Sequence, residues 1–299
     1  MKIEQRSCPG RLGYTTVQIN RVGWGAAFLR KHKIENKIRS MKSFFSKKSF
    51  LGTMAVAAVC MLGTTNAQAQ EFTIQGDLVS SYVWRGIYQG GAASFQPTLG
   101  FSVGNFSLTA WGSTSLSESN KEIDLTAAYK FGEAGPTLSV ATLWWDGQAD
   151  VANGEYTNNY FHFKSGETGH HFEAGLAYTL PIEKFPLSIA WYTMFAGADR
   201  KINDKGEDKQ AYSSYVELNY PFSVKGVDLN ATCGMVPYET PQYYVNGFAV
   251  TNLALKATKA INFNDKFSLP IFVQAIWNPR LEDAHLVLSL IHISEPTRP

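Results

Sequence analysis

Twelve short stretches between Phe72 and Leu286 alternate apolar with polar residues at period two. Because successive side chains of a β-strand point to opposite faces, this alternation predicts strands with one apolar and one polar face. The predicted strands cover residues 72–84, 96–103, 106–116, 123–131, 138–145, 171–180, 187–195, 211–220, 227–236, 248–261, 267–277 and 283 onward.

The segments that join these stretches alternate in length. Tight connections such as Gly104-Asn105 follow the even stretches, and longer ones such as 146–170, 196–210 and 237–247 follow most odd ones. Bacterial outer-membrane barrels show this asymmetry, with short periplasmic turns and longer extracellular loops. We therefore predict an all-β fold, a single antiparallel up-and-down transmembrane β-barrel of about 12 strands with a periplasmic N-terminus.

Four tryptophans fall at the ends of odd stretches. Trp84, Trp144, Trp145 and Trp277 would all lie where an outward-running strand reaches the outer interface of the membrane. Amphipathic aromatic rings are favoured at that depth. We expect them to contribute to an aromatic belt.

Charge and hydropathy divide the chain into segments. Residues 1–69 hold 12 basic against 2 acidic residues, whereas residues 70–287 hold 14 against 22, a net charge of −8 that argues against a nucleic-acid surface. Lysines at 42, 47 and 48, the apolar run 51–62 and Ala67-Gln68-Ala69 predict a signal peptide over 41–69, cleaved before Gln70. We interpret residues 1–40 as an upstream extension, with Met41 the true start, and residues 70–287 as the barrel.

The last twelve residues, 288–299, resemble the translation of a transposase-type sequencing adapter. We therefore expect a non-native tail, a twelfth strand cut off after Val287 and poor insertion of the chain as printed. Between residues 70 and 287 the sequence holds one cysteine, Cys233, so no intramolecular disulfide is expected there.

Parity within each strand separates a lipid face from a lumen face. In the stretch 123–131, Ile123, Leu125 and Tyr129 would meet lipid, and Asp124 would face the lumen. A charge facing hydrocarbon at mid-membrane costs about 2 to 4 kcal/mol, so charged residues should face inward. Five acidic and three basic residues have inward parity and are our candidate pore-lining residues: Asp77, Arg85, Asp124, Lys130, Glu173, Glu217, Asp228 and Lys256.

This lumen has two interpretations. The charges line a narrow aqueous pore with a mild cation preference, or they pair with one another and hold the barrel shut. Arg85, which is followed by Gly86, also has two possible roles. It screens entering anions, or it holds a folded-in loop through an acid such as Asp124. We favour conductance for the lumen and the structural role for Arg85.

Several motifs resemble a known family. Ser81-Tyr82-Val83-Trp84-Arg85-Gly86-Ile87, Gln96-Pro97, Trp111-Gly112-Ser113 and Glu122-Ile123-Asp124-Leu125 are similar in type and spacing to the TorF-type putative porins of Gram-negative outer membranes. The resemblance is clear over 78–129. It implies a barrel in the outer membrane with a transport role, and it leaves the solute undefined.

We therefore expect an outer-membrane, porin-like channel for passive passage of small polar solutes or ions. The alternative is a binding, adhesion or structural barrel that acts through long extracellular loops, which carry tyrosines at 156, 160, 243 and 244. We expect no enzyme and no metal site, since the adjacent His170 and His171 would point to opposite faces of a strand. No cofactor is expected; the expected partners are outer-membrane lipid, small solutes or ions and the barrel assembly machinery, and not nucleic acid.

Overall fold

The computed structural model of the protein describes residues 70–118, 120–146, 149–150, 155–156, 159–164, 167–264 and 267–297. The predicted upstream extension and signal peptide lie outside these residues. The helical structure in the described part of the chain is one short 3-10 helix, Pro241–Tyr243. No helix within these ranges combines the length and the apolarity that a membrane span requires.

Twelve antiparallel strands form one closed barrel in which each strand pairs with its neighbours along the chain and the last pairs with the first. We number them in chain order as β1 (Gln70–Val79), β2 (Ser94–Val103), β3 (Phe106–Ser115), β4 (Lys121–Lys130), β5 (Thr137–Trp145), β6 (His170–Thr179), β7 (Ser188–Gly197), β8 (Ser214–Val224), β9 (Val227–Val236), β10 (Ala249–Asn264), β11 (Phe267–Asn278) and β12 (Asp283–Thr297). The predicted fold class is confirmed.

The final strand closes the barrel. β12 continues beyond Val287, and its residues from Ser289 to Thr297 pair with β1, with Ser289 opposite Val79 and Thr297 opposite Phe72. This differs from the expectation that the strand ends after Val287. In the structure the segment supplies the backbone partners that β1 needs on one side, while the adapter origin of the segment stays a prediction.

The alternation of side chains agrees with the predicted faces. On β4, Ile123, Leu125 and Tyr129 are 40%, 44% and 45% exposed on the outer wall, as a lipid-facing surface requires. On β12 the outward Leu286 is 61% exposed, whereas its neighbour Val287 is 6% exposed and packs inside with Val79.

The two ends of the barrel differ. Tight turns such as Gly104-Asn105 and Lys225-Gly226 connect the strands at one end, which we call the short-turn end. At the opposite, long-loop end, the described residues form three small two-stranded hairpins in the loops. One of them, the inserted hairpin, pairs Tyr82–Trp84 with Ile87–Gly90.

This hairpin corrects the prediction that the first strand runs to Trp84. β1 ends at Val79, and the chain turns into the barrel mouth at residues that the alternation had assigned to the wall. The prediction of an aromatic belt is wrong for Trp84 and Trp145, which pack in the interior. Trp277 is 51% exposed on the surface, and Trp144 lies on the outer face but is 5% exposed, because Tyr160 and His170 pack against it.

Candidate functional site: the filled mouth of the barrel

The inserted hairpin packs into the interior at the long-loop end. Its Ile87 is 7% exposed and packs in a cluster with Tyr215 of β8, Val236 of β9, and Tyr243 and Val245 from the loop between β9 and β10. Trp84 packs both against this cluster, through Tyr243, and against Trp145 of β5. Burial of these apolar side chains therefore holds the hairpin in the mouth.

The turn of the hairpin is fitted to the wall. Arg85 and Gly86 both have positive φ, 49° and 82°, as a tight two-residue hairpin turn requires. A Cβ atom on Gly86 would lie 2.0 Å from the carbonyl oxygen of Thr251, so only glycine fits there. The Asn278 side-chain amide, which is fully buried, donates a hydrogen bond of 3.0 Å to the Gly86 carbonyl.

Arg85 makes the main polar contacts of the hairpin. Its Nη1 and Nη2 atoms donate to the two carboxylate oxygens of Glu173 on β6, at 2.6 and 2.7 Å. Nη1 also donates to the Tyr243 hydroxyl at 2.7 Å. The side chains of Arg85 and Glu173 are only 14% and 6% exposed, so this bidentate ion pair lies away from bulk water. The predicted structural role of Arg85 is thus found, but with Glu173 as the partner in place of Asp124.

Aromatic rings complete the surroundings of the guanidinium. Its central carbon lies 4.5 Å from the ring centre of Tyr192, 4.9 Å from that of Tyr215 and 4.7 Å from that of Trp84. These distances are typical of cation–π contacts. The rings of Trp84, Tyr243 and Tyr215 form a continuous stack, with successive centres 5.5 and 5.7 Å apart.

The groups around Arg85 keep its guanidinium positively charged. Burial alone would lower the pKa of the Arg85 guanidinium, but the Glu173 carboxylate and the Tyr243 hydroxyl outweigh burial and hold that pKa well above its ordinary value. Burial also raises the pKa of the Tyr243 hydroxyl, which keeps it neutral. The hairpin is therefore held by a guanidinium that keeps its positive charge.

A second group of acidic residues lies beside the hairpin. Glu122 of β4 is 2% exposed, and neither of its carboxylate oxygens has a hydrogen-bond partner among the described residues. It borders a cavity of about 190 Å³ whose walls include Tyr82 and Trp145. Asp124, two residues along the same strand, is close enough to Glu173 and Arg85 to interact with their charges.

Of the remaining predicted pore-lining residues, Glu217 is connected to this cluster through Tyr215, and the others lie apart from it. Lys256 on β10 is close enough to Asp77 on β1 for their charges to interact, and its ammonium lies 3.9 Å from the ring centre of Phe272. Glu217 accepts hydrogen bonds from the Tyr215 hydroxyl and the Asn219 amide at 2.8 and 2.6 Å.

Two predicted residues lie near the short-turn end. Lys130 and Asp228 are exposed, and the Ser223 hydroxyl donates to Asp228 at 2.6 Å. Of the eight candidates, the structure thus brings Arg85, Glu173 and Asp124 together at the mouth, joins Glu217 to them through Tyr215, and leaves the other four along the wall.

Four residues of the site had not been predicted. Glu122 shares the parity of Asp124, and it was missed because the strand was expected to begin at Ile123, whereas it begins two residues earlier, at Lys121. Tyr192 and Tyr215 have no charge to indicate an inward position. Tyr243 belongs to a loop without any periodic pattern, so no sequence signal places it inside.

The adjacent histidines lie on opposite faces, as predicted. The His170 ring is packed outside against Tyr160 and Phe163, with hydrogen bonds to Thr142 and to the Tyr160 carbonyl, whereas His171 packs against Trp145. Among the described residues, no three His, Cys, Asp or Glu side chains are grouped so as to hold a metal ion.

Comparison with known proteins identifies no relative: no protein-family model matches the sequence, and no curated protein matches it significantly.

Proposed function

We propose that this chain is an outer-membrane channel for small polar solutes or ions, with an extracellular mouth that is closed by the inserted hairpin. The observation that carries the proposal is the Arg85–Glu173 ion pair inside a closed twelve-stranded barrel. Because this buried pair holds a loop hairpin in the mouth, breaking the pair would release the hairpin and free the passage.

The rest of the lumen supports a water-filled passage. Lining residues toward the short-turn end are polar and partly exposed, and Asn219, Asn230 and Thr232 form a hydrogen-bonded group on the inner wall. A 12-stranded barrel is intermediate between filled eight-stranded barrels and the roughly 16-stranded porins with open channels. A passage of this width is one that a single hairpin can obstruct.

The test is conductance in planar bilayers. We compare the protein with a variant in which residues 82–90 are replaced by a short Gly-Ser link, and we expect larger and more frequent current steps in the variant. Shortening the exposed tip 203–207 of the loop between β7 and β8 is the matched control, because it removes loop residues that lie outside the mouth. Stable insertion of both proteins without current steps would reject the channel in favour of a binding or structural barrel.

The charges of the lumen also predict its ion preference. Asp124→Asn combined with Glu217→Gln removes two acidic groups from a narrow passage, which weakens the negative potential that admits cations. We expect the reversal potential of the hairpin-free variant in a salt gradient to shift toward lower cation preference. An unchanged reversal potential would contradict this.

A further inference from the structure

The surroundings of Arg85 have the features of a receptor for a guanidinium group. The Glu173 carboxylate meets the guanidinium edge with two parallel hydrogen bonds, and the Tyr243 hydroxyl accepts a third. The rings of Tyr192 and Tyr215 lie at cation–π distance from the guanidinium carbon. A planar cation is therefore contacted at its edge by acceptors and near its faces by aromatic rings.

Most of this receptor belongs to the wall and not to the hairpin. Glu173, Tyr192 and Tyr215 lie on the consecutive strands β6, β7 and β8, which are joined by continuous backbone pairing. The Tyr215 hydroxyl is fixed independently of Arg85, since it donates to Glu217 and accepts from the Asn252 amide at 3.0 Å.

Two glycines make room for the rings. A Cβ atom at Gly175 would lie 2.9 Å from the Tyr192 ring, and one at Gly234 would lie 1.9 Å from the Tyr215 hydroxyl oxygen. Each tyrosine therefore lies over a glycine of the neighbouring strand, where it packs against backbone. This arrangement keeps the rings in place when the guanidinium leaves.

The occupant, by contrast, is carried by a short loop. Arg85 sits at the turn of the inserted hairpin, and the pairing of the twelve wall strands does not involve it. Removing Arg85 would leave Glu173, which is 5% exposed, as a buried anion without a counter-ion. Such a group strongly favours a replacement cation over a neutral solute.

We infer that this pocket, formed by Glu173, Tyr192, Tyr215 and Tyr243, is a binding site for small solutes that carry a guanidinium group, and that Arg85 is its built-in competitor. A solute that binds there displaces Arg85 and releases the hairpin from the mouth. The coupling of binding to passage rests on the proposed channel function, whereas the binding itself does not.

The experiment titrates guanidinium chloride into Arg85→Ala protein in detergent, at constant ionic strength set with sodium chloride, and follows the fluorescence of the nearby tryptophans. Urea is the matched control ligand, since it has the same planar shape without the charge. We expect a saturable change with guanidinium and an affinity at least about tenfold greater than for urea. The unchanged protein should need at least about a hundredfold more guanidinium, because the tethered Arg85 occupies the pocket.

The double variant Arg85→Ala with Glu173→Gln should lose the guanidinium response and bind guanidinium no better than urea. A heat-modifiable gel shift verifies folding of each variant, and Arg85→Gln replaces Arg85→Ala if the smaller side chain prevents folding. Equal responses to guanidinium and urea, or full retention after Glu173→Gln, would overturn the inference. Guanidinium binding without any current in bilayers would reject the channel and leave the site standing.

Discussion

At the scale of single residues, the mouth depends on an ion pair whose two partners are not equivalent. Glu173 belongs to the wall, whereas Arg85 arrives on a loop, and both are buried. Breaking a buried pair by removing one partner costs about 3 to 5 kcal/mol, because the other charge is left uncompensated, whereas an exposed pair contributes about 0 to 1 kcal/mol. Arg85 therefore stabilises the closed mouth far more than a charge at the rim would.

Gly86 gives the sharpest test at this scale. Gly86→Ala places a Cβ atom 2.0 Å from the Thr251 carbonyl oxygen, so the hairpin turn must move away from the wall. We expect the variant to show larger or more frequent current steps in bilayers, approaching those of the hairpin-free protein.

Gly206→Ala is the matched control for that variant. Gly206 also has a positive φ, 75°, but nothing lies within 4 Å of its Cβ position. Both variants therefore place alanine in a left-handed backbone conformation, which destabilises each by about 1 to 2 kcal/mol. Gly86→Ala adds the clash with the Thr251 carbonyl oxygen. Equal currents in the two variants would show that the fit of the turn to the wall does not hold the mouth closed.

At the scale of elements, the sequence predicted the strands well and the paths of the loops poorly. β9 was predicted with the bounds that it has in the structure, and β2 to β8 were placed within a few residues, because alternation and turn residues act locally. Alternation does not indicate where a strand leaves the wall. For that reason Trp84 was assigned to the membrane interface, although it lies on a hairpin that packs inside.

The short helix between β9 and β10 supports the hairpin, and this can be tested through Tyr243. The Tyr243 ring lies between those of Trp84 and Tyr215, and each aromatic pair contributes about 0.5 to 1.5 kcal/mol beyond its buried area. Tyr243→Ala should therefore raise bilayer current more than Tyr243→Phe, which keeps the stack and loses one hydrogen bond to Arg85.

The adjacent Tyr244 supplies the control, since it is 65% exposed and Tyr243 is 1% exposed. Tyr244→Ala should leave the current unchanged. If Tyr243→Ala behaved like Tyr244→Ala, the helix would not contribute to closing the mouth.

At the scale of the whole molecule, the barrel joins residues that are far apart in sequence. Inward parity identified Arg85 and Glu173 as separate lumen residues, but they are 88 positions apart and meet only because the hairpin folds back into a closed wall. Parity indicates which face of the wall a side chain lies on, but it does not indicate the depth of that side chain in the barrel or the residue that it contacts. The inward face of a wall residue such as Glu173 was therefore predictable, while the pairing at the mouth required the three-dimensional structure.

Closure of the barrel itself depends on the end of the chain. Residues Ser289 to Thr297 of β12 face β1 from Val79 to Phe72, and no other strand of the described residues lies on that side of β1. Ending the chain at Val287 would leave that side of β1 without partners, at several kcal/mol for each unsatisfied backbone group in hydrocarbon. The sequence alone predicted poor insertion of this chain, but the pairing of β12 with β1 leads us to expect the opposite: protein comprising residues 70–299 should fold into a heat-modifiable barrel in detergent, and protein ending at Val287 should give no gel shift. A third protein, in which residues 288–297 are replaced by a Gly-Ser segment of equal length, separates pairing by these particular residues from the length of the chain. Equal gel shifts for all three proteins would show that β1 does not need this strand. No shift for any of them would support the adapter interpretation, in which the native final strand has a different sequence.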